Sequence, residues 1–193
     1  YNKLGKNPAH LEVARKSVEF TMKLKPSGDE RWPASFTKDG KPTDRNADIY
    51  GDLFIANGLQ EFGKTKGNER YWDIAKDIFI RRMKTFDSPD YEYIVAYAVP
   101  SGQTPPPLKA PSVLGHWMVI INLATQMLEL KPDRQIETFA DRAVDAIMNK
   151  HFNPDFRLQN EVLNHDLSRN ADYAQFSYLG HAIETYWMVM HEA

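Results

Sequence analysis

Hydrophobic positions recur at three- and four-residue steps in six stretches of this 193-residue chain. The first follows Asn7-Pro8, a capping side chain and a proline at the first helical position. It runs through Leu11, Ala14, Val18 and Met22 to Pro26-Ser27-Gly28, which predicts an amphipathic helix. Trp32-Pro33-Ala34-Ser35-Phe36 and the Asp39-Gly40 turn predict a short hairpin, limited by Pro33 and Pro42 because proline has no N–H for the ladder. Over 48–64 the stripe Ile49, Leu53, Ala56, Leu59 and Phe62 marks a second helix, which Thr65-Lys66-Gly67 ends. Asn68 then caps a third, with Trp72, Ala75, Ile78, Phe79 and Met83 on one face up to Phe86. So short a break makes the pair an antiparallel helical hairpin.

The stretch 87–111 holds Pro89, Pro100, Pro105, Pro106, Pro107 and Pro111, cannot stay helical, and is too long for an idle connector, so it is expected to border a site. A fourth helix over 112–130 has an apolar circumference (Val113, Trp117, Ile120, Ile121, Leu123, Ala124, Met127, Leu128) wide enough to be buried on most sides. A fifth, over 134–150, has only the stripe Ile136, Phe139, Ala143, Ala146 and Ile147 and reads as an outer helix. The stretch 156–163 alternates as a brief strand, and the sixth helix begins near Leu179. Alternation of buried and amphipathic helices suggests stacked helical hairpins, open as a solenoid or closed as an α/α toroid, although no exact internal repeat accompanies it.

Composition narrows the partners. The 24 basic and 26 acidic residues give a formal charge of -2, and no basic run exceeds Arg81-Arg82, so no phosphate-backbone footprint is present and nucleic acid is not expected as a partner. The absence of cysteine removes disulfides and thiolate metal sites and suits a reducing compartment. No segment approaches the roughly 20 apolar residues of a membrane span, and Tyr1-Asn2-Lys3-Leu4-Gly5-Lys6 has no apolar signal core, so a soluble, cytoplasmic chain without a membrane partner is expected. The chain has no initiating methionine and stops inside the apolar helical pattern Met188-Val189-Met190-His191-Glu192-Ala193. This suggests a single domain over 1–193 that is incomplete at both ends.

The chemistry gathers in Gly180-His181-Ala182-Ile183-Glu184. Three helical positions turn the chain by about 300°, so His181 and Glu184 share a face, and the positive end of the helix dipole favours neutral imidazole in the first turn. A base and its orienter fit this spacing; so does a core histidine packed under Trp187, with Glu184 merely complementing the dipole. Glu161, His165, Asp166, His181 and Glu184 are metal-ligand types, but neither a His-Glu-x-x-His motif nor a paired Glu-x-x-His set organises them. Asp48, Asp52 and Glu184 are the carboxylates a glycosidase would draw on. A non-catalytic helical-repeat module that binds carbohydrate or protein is the remaining class.

Four stretches carry a resemblance: residues 48–62 (Asp48-Ile49-Tyr50-Gly51-Asp52-Leu53 onward), Gly115-His116-Trp117, Asn160-Glu161-Val162-Leu163, and Gly180-His181-Ala182-Ile183-Glu184 with Trp187. Together they resemble the N-acylglucosamine 2-epimerase family, which includes cellobiose 2-epimerases and aldose–ketose isomerases. The resemblance spans nearly the whole chain and roughly the middle half of a family member. It implies an all-α fold, an (α/α)6 barrel or the half-toroid part of one, with short β-hairpins in the connecting loops. It also implies a small-molecule sugar partner, no cofactor or metal, and allows a homodimer. The implied chemistry is proton abstraction from carbon 2 of an open-chain sugar, through an enediolate. By motif, His181 is the acid/base residue and Glu184 its orienter and a sugar-hydroxyl ligand. Tyr50, His116, Arg169 and Trp187 are the weaker substrate-binding candidates. Their alternatives are an amphipathic core tyrosine, a satisfied core histidine, a loop-bracing arginine and, for Trp187, the preferred reading of a core anchor. The family's second catalytic histidine and an arginine near its start have no counterpart here. His191, about 15 Å along the helix from His181, is too far to substitute, while His165 stays open.

Overall fold

The computed structural model describes residues 5–44 and 48–193. Residues 1–4, part of the opening stretch read above for a targeting signal, lie outside the described residues. The chain forms two compact units, Tyr1–Met83 and Lys84–Ala193.

In the first unit, α1 (Pro8–Lys23) starts where Asn7 accepts the Ala9 N–H at 2.9 Å with Pro8 following, and it packs along α2 (Ile49–Lys66). Its outer face is held by Arg15, which pairs with Glu12 and Glu19 one turn away on either side. The hairpin forms as β1 (Ser35–Phe36) and β2 (Pro42–Asp44), antiparallel and irregular next to Pro42. Asp48 caps α2 by accepting the Tyr50 N–H at 2.8 Å. The predicted stripe Ile49, Leu53, Ala56, Leu59 and Phe62 is buried, and α3 (Glu69–Phe86) answers it with buried Trp72, Ala75, Ile78, Phe79 and Met83. Full burial of each large apolar side chain contributes about 1.5–3 kcal/mol.

Two glycines make the turn between these helices. Gly67 closes α2 in the left-handed region at φ 64, where a side chain would be strained. A Cβ on Gly63 would lie 2.8 Å from the Asn68 carbonyl oxygen and 2.9 Å from the Tyr71 Cβ. Both neighbours are held by the turn, so a Gly63→Ala variant is expected to lose about 1–3 kcal/mol in chemical denaturation. An unchanged midpoint would mean the turn yields without cost.

In the second unit, α4 (Leu114–Leu130) packs against both α5 (Arg134–Asp145) and α6 (Leu179–Glu192). Every residue from Leu114 to Ile121 is buried, as the wide apolar circumference predicts, whereas α5 buries only Ile136, Phe139, Ala140 and Ala143. Asp133 caps α5 by accepting the Gln135 and Ile136 N–H groups, and one π-helical turn, Ala146–Lys150, extends it.

Three antiparallel strand pairs replace the single strand expected at 156–163 and organise the loops around it. β3 (Glu92–Tyr93) pairs with β4 (Leu108–Lys109) across the proline-rich stretch. β5 (Ser112–Val113) runs directly into α4, and β6 (Phe152–Asn153) turns back onto β7 (Leu158–Gln159). β8 (Val162–Leu163) pairs with β5. Asn160 and Glu161 sit between β7 and β8, where the chain changes partners.

Candidate functional site

Asn160 ties the loops together before Glu161 follows it. Its amide donates to the Ala174 carbonyl at 2.8 Å, its side-chain oxygen accepts from Asn153 at 3.0 Å, and its backbone carbonyl accepts from His151 Nδ1 at 2.7 Å. A carbonyl only accepts, so His151 carries its proton on Nδ1 and presents a bare Nε2 to the Ser112 hydroxyl at 3.2 Å. Burial pushes His151 down to about 4, consistent with a neutral ring at physiological pH. Ser112 in turn accepts the Trp117 indole N–H at 2.8 Å, so the whole network is buried and satisfied.

Glu161 is fully buried, and its backbone is bonded at both ends: its N–H donates to the Phe176 carbonyl at 3.1 Å and its carbonyl accepts the Leu114 N–H at 2.8 Å. Its side-chain Oε1 is the meeting point of three donors: the Tyr97 hydroxyl at 2.6 Å, His181 Nδ1 at 2.8 Å and, more weakly, the Gly115 N–H at 3.3 Å. Oε2 is buried and has no hydrogen-bond partner among the described residues. His181 lies in the first turn of α6 with its side chain 17% exposed. Tyr97 and Tyr178 meet its ring edge-on, at centroid distances of 5.4 and 4.7 Å. The imidazole is thus fixed in plane by one hydrogen bond and walled by two phenols.

The carboxylate that holds His181 therefore comes from the β7–β8 connection, whereas the motif spacing suggested Glu184. Glu184 is exposed one turn further along α6. Neither Glu161 nor Tyr97 was singled out as an orienter from sequence. The available signals were an acidic residue set directly against an apolar strand, and a proline-rich stretch long enough to border a site; Tyr97 lies within that stretch.

The weaker candidates each have a setting of their own. His116 is fully buried in an aromatic box, sharing a hydrogen bond with the Tyr91 hydroxyl at 3.1 Å and lying 4.6 Å from the Tyr93 ring. Burial, helped by the nearby His181, pushes it down to about 3, so it stays neutral and has no surface for a ligand to touch. Arg169 braces its loop through an exposed ion pair with Asp155 at 2.7 Å. Trp187 is 47% exposed, which overturns the core-anchor reading: the helix turns it away from the buried Ala182 and Thr185. Tyr50 is half-buried in the first turn of α2, in the first unit, and stacks on Phe54 at 6.5 Å. His165 is exposed, and His191 pairs with Glu129 at 3.1 Å.

Two of the three glycosidase carboxylates have other work. Asp48 caps α2, and Asp52 is buried against Arg82 at 3.4 Å. Among the described residues no three His, Asp or Glu side chains gather as a metal site, and no helix is long and apolar enough to cross a membrane.

No family model and no curated protein sequence matches the chain. Among solved structures, that of cellobiose 2-epimerase from Bacillus thermoamylovorans B4167 aligns with a TM-score of 0.77 at 15% identity. The alignment covers 98% of this chain and 50% of that one. The fold is that of part of an α/α toroid. The all-α class and short strand pairs expected from the sequence are what the chain has, and it spans half the length of the epimerase it matches. At this identity the likeness is one of fold alone.

Proposed function

We propose that the full-length protein is a sugar 2-epimerase or aldose–ketose isomerase that transfers the carbon-2 proton of an open-chain aldose, with His181 as one of its two acid/base residues. The observation that carries this reading is that His181 has Nδ1 bonded to a buried carboxylate and a second nitrogen with no hydrogen bond among the described residues, at a partly exposed helix start. In the reaction the C2–H bond breaks, the proton goes to Nε2, and the electron pair spreads onto the carbonyl oxygen as an enediolate. Return of a proton to the opposite face of carbon 2 gives the epimer, and return to carbon 1, with the O2 proton passing to O1, gives the ketose. The resulting imidazolium is stabilised by the neighbouring anion. Glu184, exposed on the same helix, is suited to accept sugar hydroxyl protons, and exposed Trp187 offers a ring face about 9 Å along the axis. Tyr50 and Arg169 are retained only as outlying ligand candidates. The opposite acid/base group is assigned to residues beyond this chain. Fold likeness to a sugar epimerase supports the same reading.

The test is isotope exchange in deuterated water with glucose, N-acetylglucosamine and cellobiose as probes. The full-length protein is expected to place deuterium at carbon 2 of at least one of them, and the 193-residue chain alone at none. Exchange by neither, or cleavage of cellobiose without exchange, would overturn the epimerase reading.

A further inference from the structure

The Glu161 carboxylate carries a cost: it is completely buried, and one of its oxygens has no hydrogen-bond partner among the described residues. A buried unsatisfied acceptor ordinarily costs on the order of a hydrogen bond, and such groups recur where a side chain serves another end than stability. The rest of the loop is built to keep it there. Asn160 is gripped by two separate segments, 151–153 and the loop at Ala174, the Glu161 backbone is bonded at both ends, and two donors besides His181 aim at Oε1.

From this juxtaposition we infer that Glu161 is the positioning residue of the site, holding His181 in the tautomer with the proton on Nδ1 so that Nε2 is the reacting nitrogen. The inference rests on the acid/base role proposed for His181 and names the residue that makes that role workable. A carboxylate accepting from Tyr97 and Gly115 leaves His181 only the part of donor, and an imidazole that donates through Nδ1 has its lone pair on Nε2. Glu184 cannot do this as placed, because Nδ1 is already occupied and Glu184 is exposed. Tyr97 shares the task. Its hydroxyl approaches the same oxygen at 2.6 Å, and its ring borders the imidazole, so carboxylate and base are held by one side chain of the proline-rich stretch.

The experiment reads the tautomer directly, in nitrogen–carbon correlation spectra of the isotopically labelled 193-residue chain just above neutral pH, with His181 assigned by its loss in H181N. The wild-type ring is expected to show a protonated Nδ1 and a bare Nε2. Glu161→Gln is expected to preserve that pattern, because the Gly115 N–H and the Tyr97 hydroxyl favour the amide oxygen in the Oε1 position. Glu161→Leu is expected to lose it. A wild-type ring protonated on Nε2, a Gln variant that abandons the pattern, or a folded Leu variant that keeps it would each overturn the inference. The wild-type spectrum alone keeps it testable if the Leu variant fails to fold. In the full-length protein, E161L is expected to lower kcat by roughly 100-fold or more with KM little changed, since it removes orientation of the base and not a sugar contact. The expected tautomer in a protein that exchanges no carbon-2 proton would sink the epimerase reading and leave the positioning role. Exchange by a protein whose His181 is protonated on Nε2 would do the reverse.

Discussion

Replacing His181 by asparagine is expected to reduce carbon-2 proton exchange by the full-length protein by about 10²–10⁴-fold, the usual contribution of a positioned general base. Asparagine keeps a polar side chain beside Glu161 and Tyr97, so the hairpin and the start of α6 remain in place while no group is left to take the proton. The loss is expected in kcat and kcat/KM together, because abstraction occurs only in the transition state. Glu184→Gln supplies the contrast. It keeps the shape of an exposed side chain, while the His181 Nδ1 hydrogen bond goes to Glu161, and its effect is expected mainly in KM. Undiminished exchange by the His181→Asn variant would remove this histidine from the chemistry. A Glu184 variant with the larger kcat defect would return the orienting role to the position the motif spacing favoured.

The largest stability effect is expected in the first unit, at Asp52. Its carboxylate accepts the Trp32 N–H at 3.0 Å and faces Arg82 at 3.4 Å, with both side chains 2% exposed. Arg82 also donates to the Asp29 carbonyl at 2.9 Å, so this one pair fastens α2 and α3 to the segment before the hairpin. Burial outweighs attraction for both partners: it pushes Asp52 up from the ordinary carboxylate range and Arg82 down from its own. A carboxyl whose folded value is raised helps stability below its unfolded value and loses that help as pH rises through the folded one, so at neutral pH its charge is a burden the partner must offset.

Asp52→Ala leaves a buried guanidinium without that partner, and a loss of about 3–5 kcal/mol is expected in urea denaturation followed by tryptophan fluorescence. The double variant Asp52→Leu with Arg82→Met is expected to recover most of it, because removing both charges removes the desolvation cost along with the attraction. A loss below about 1 kcal/mol for Asp52→Ala would place the pair in the class of solvated surface bridges.

Such a pair shows where reading along the chain stops. Asp52 stands between Gly51 and Leu53, and Arg82 between Arg81 and Met83, and helical periodicity gives a charged residue no reason to be inside. The apolar stripe of α2 was readable because Ile49, Leu53 and Ala56 follow one another at helical spacing. The burial of Asp52 beside them depends on Arg82, thirty positions later. Trp187 shows the converse: its size favours burial, yet α6 directs it outward beside exposed Ile183 and Met190. Within 156–163, alternation matched extended chain only at 158–159 and 162–163, Phe156 and Arg157 lying in a turn, and it could not say that the two strands pair with different partners, Phe152–Asn153 and Ser112–Val113.

Local pattern was sufficient for the helices, the caps at Asn7 and Asn68, the buried character of α4 against the single stripe of α5, and a histidine opening α6. These follow from interactions within about four residues, which a sequence states outright. Which carboxylate meets that histidine was decided by tertiary structure alone. Glu184 is three positions away and exposed, while Glu161 is twenty positions away and in contact, because the turn between two strand pairs is anchored through Asn160 to His151, Asn153 and Ala174. Hydrogen bonds closed over such separations depend on where the loops are tied, and no periodicity records that.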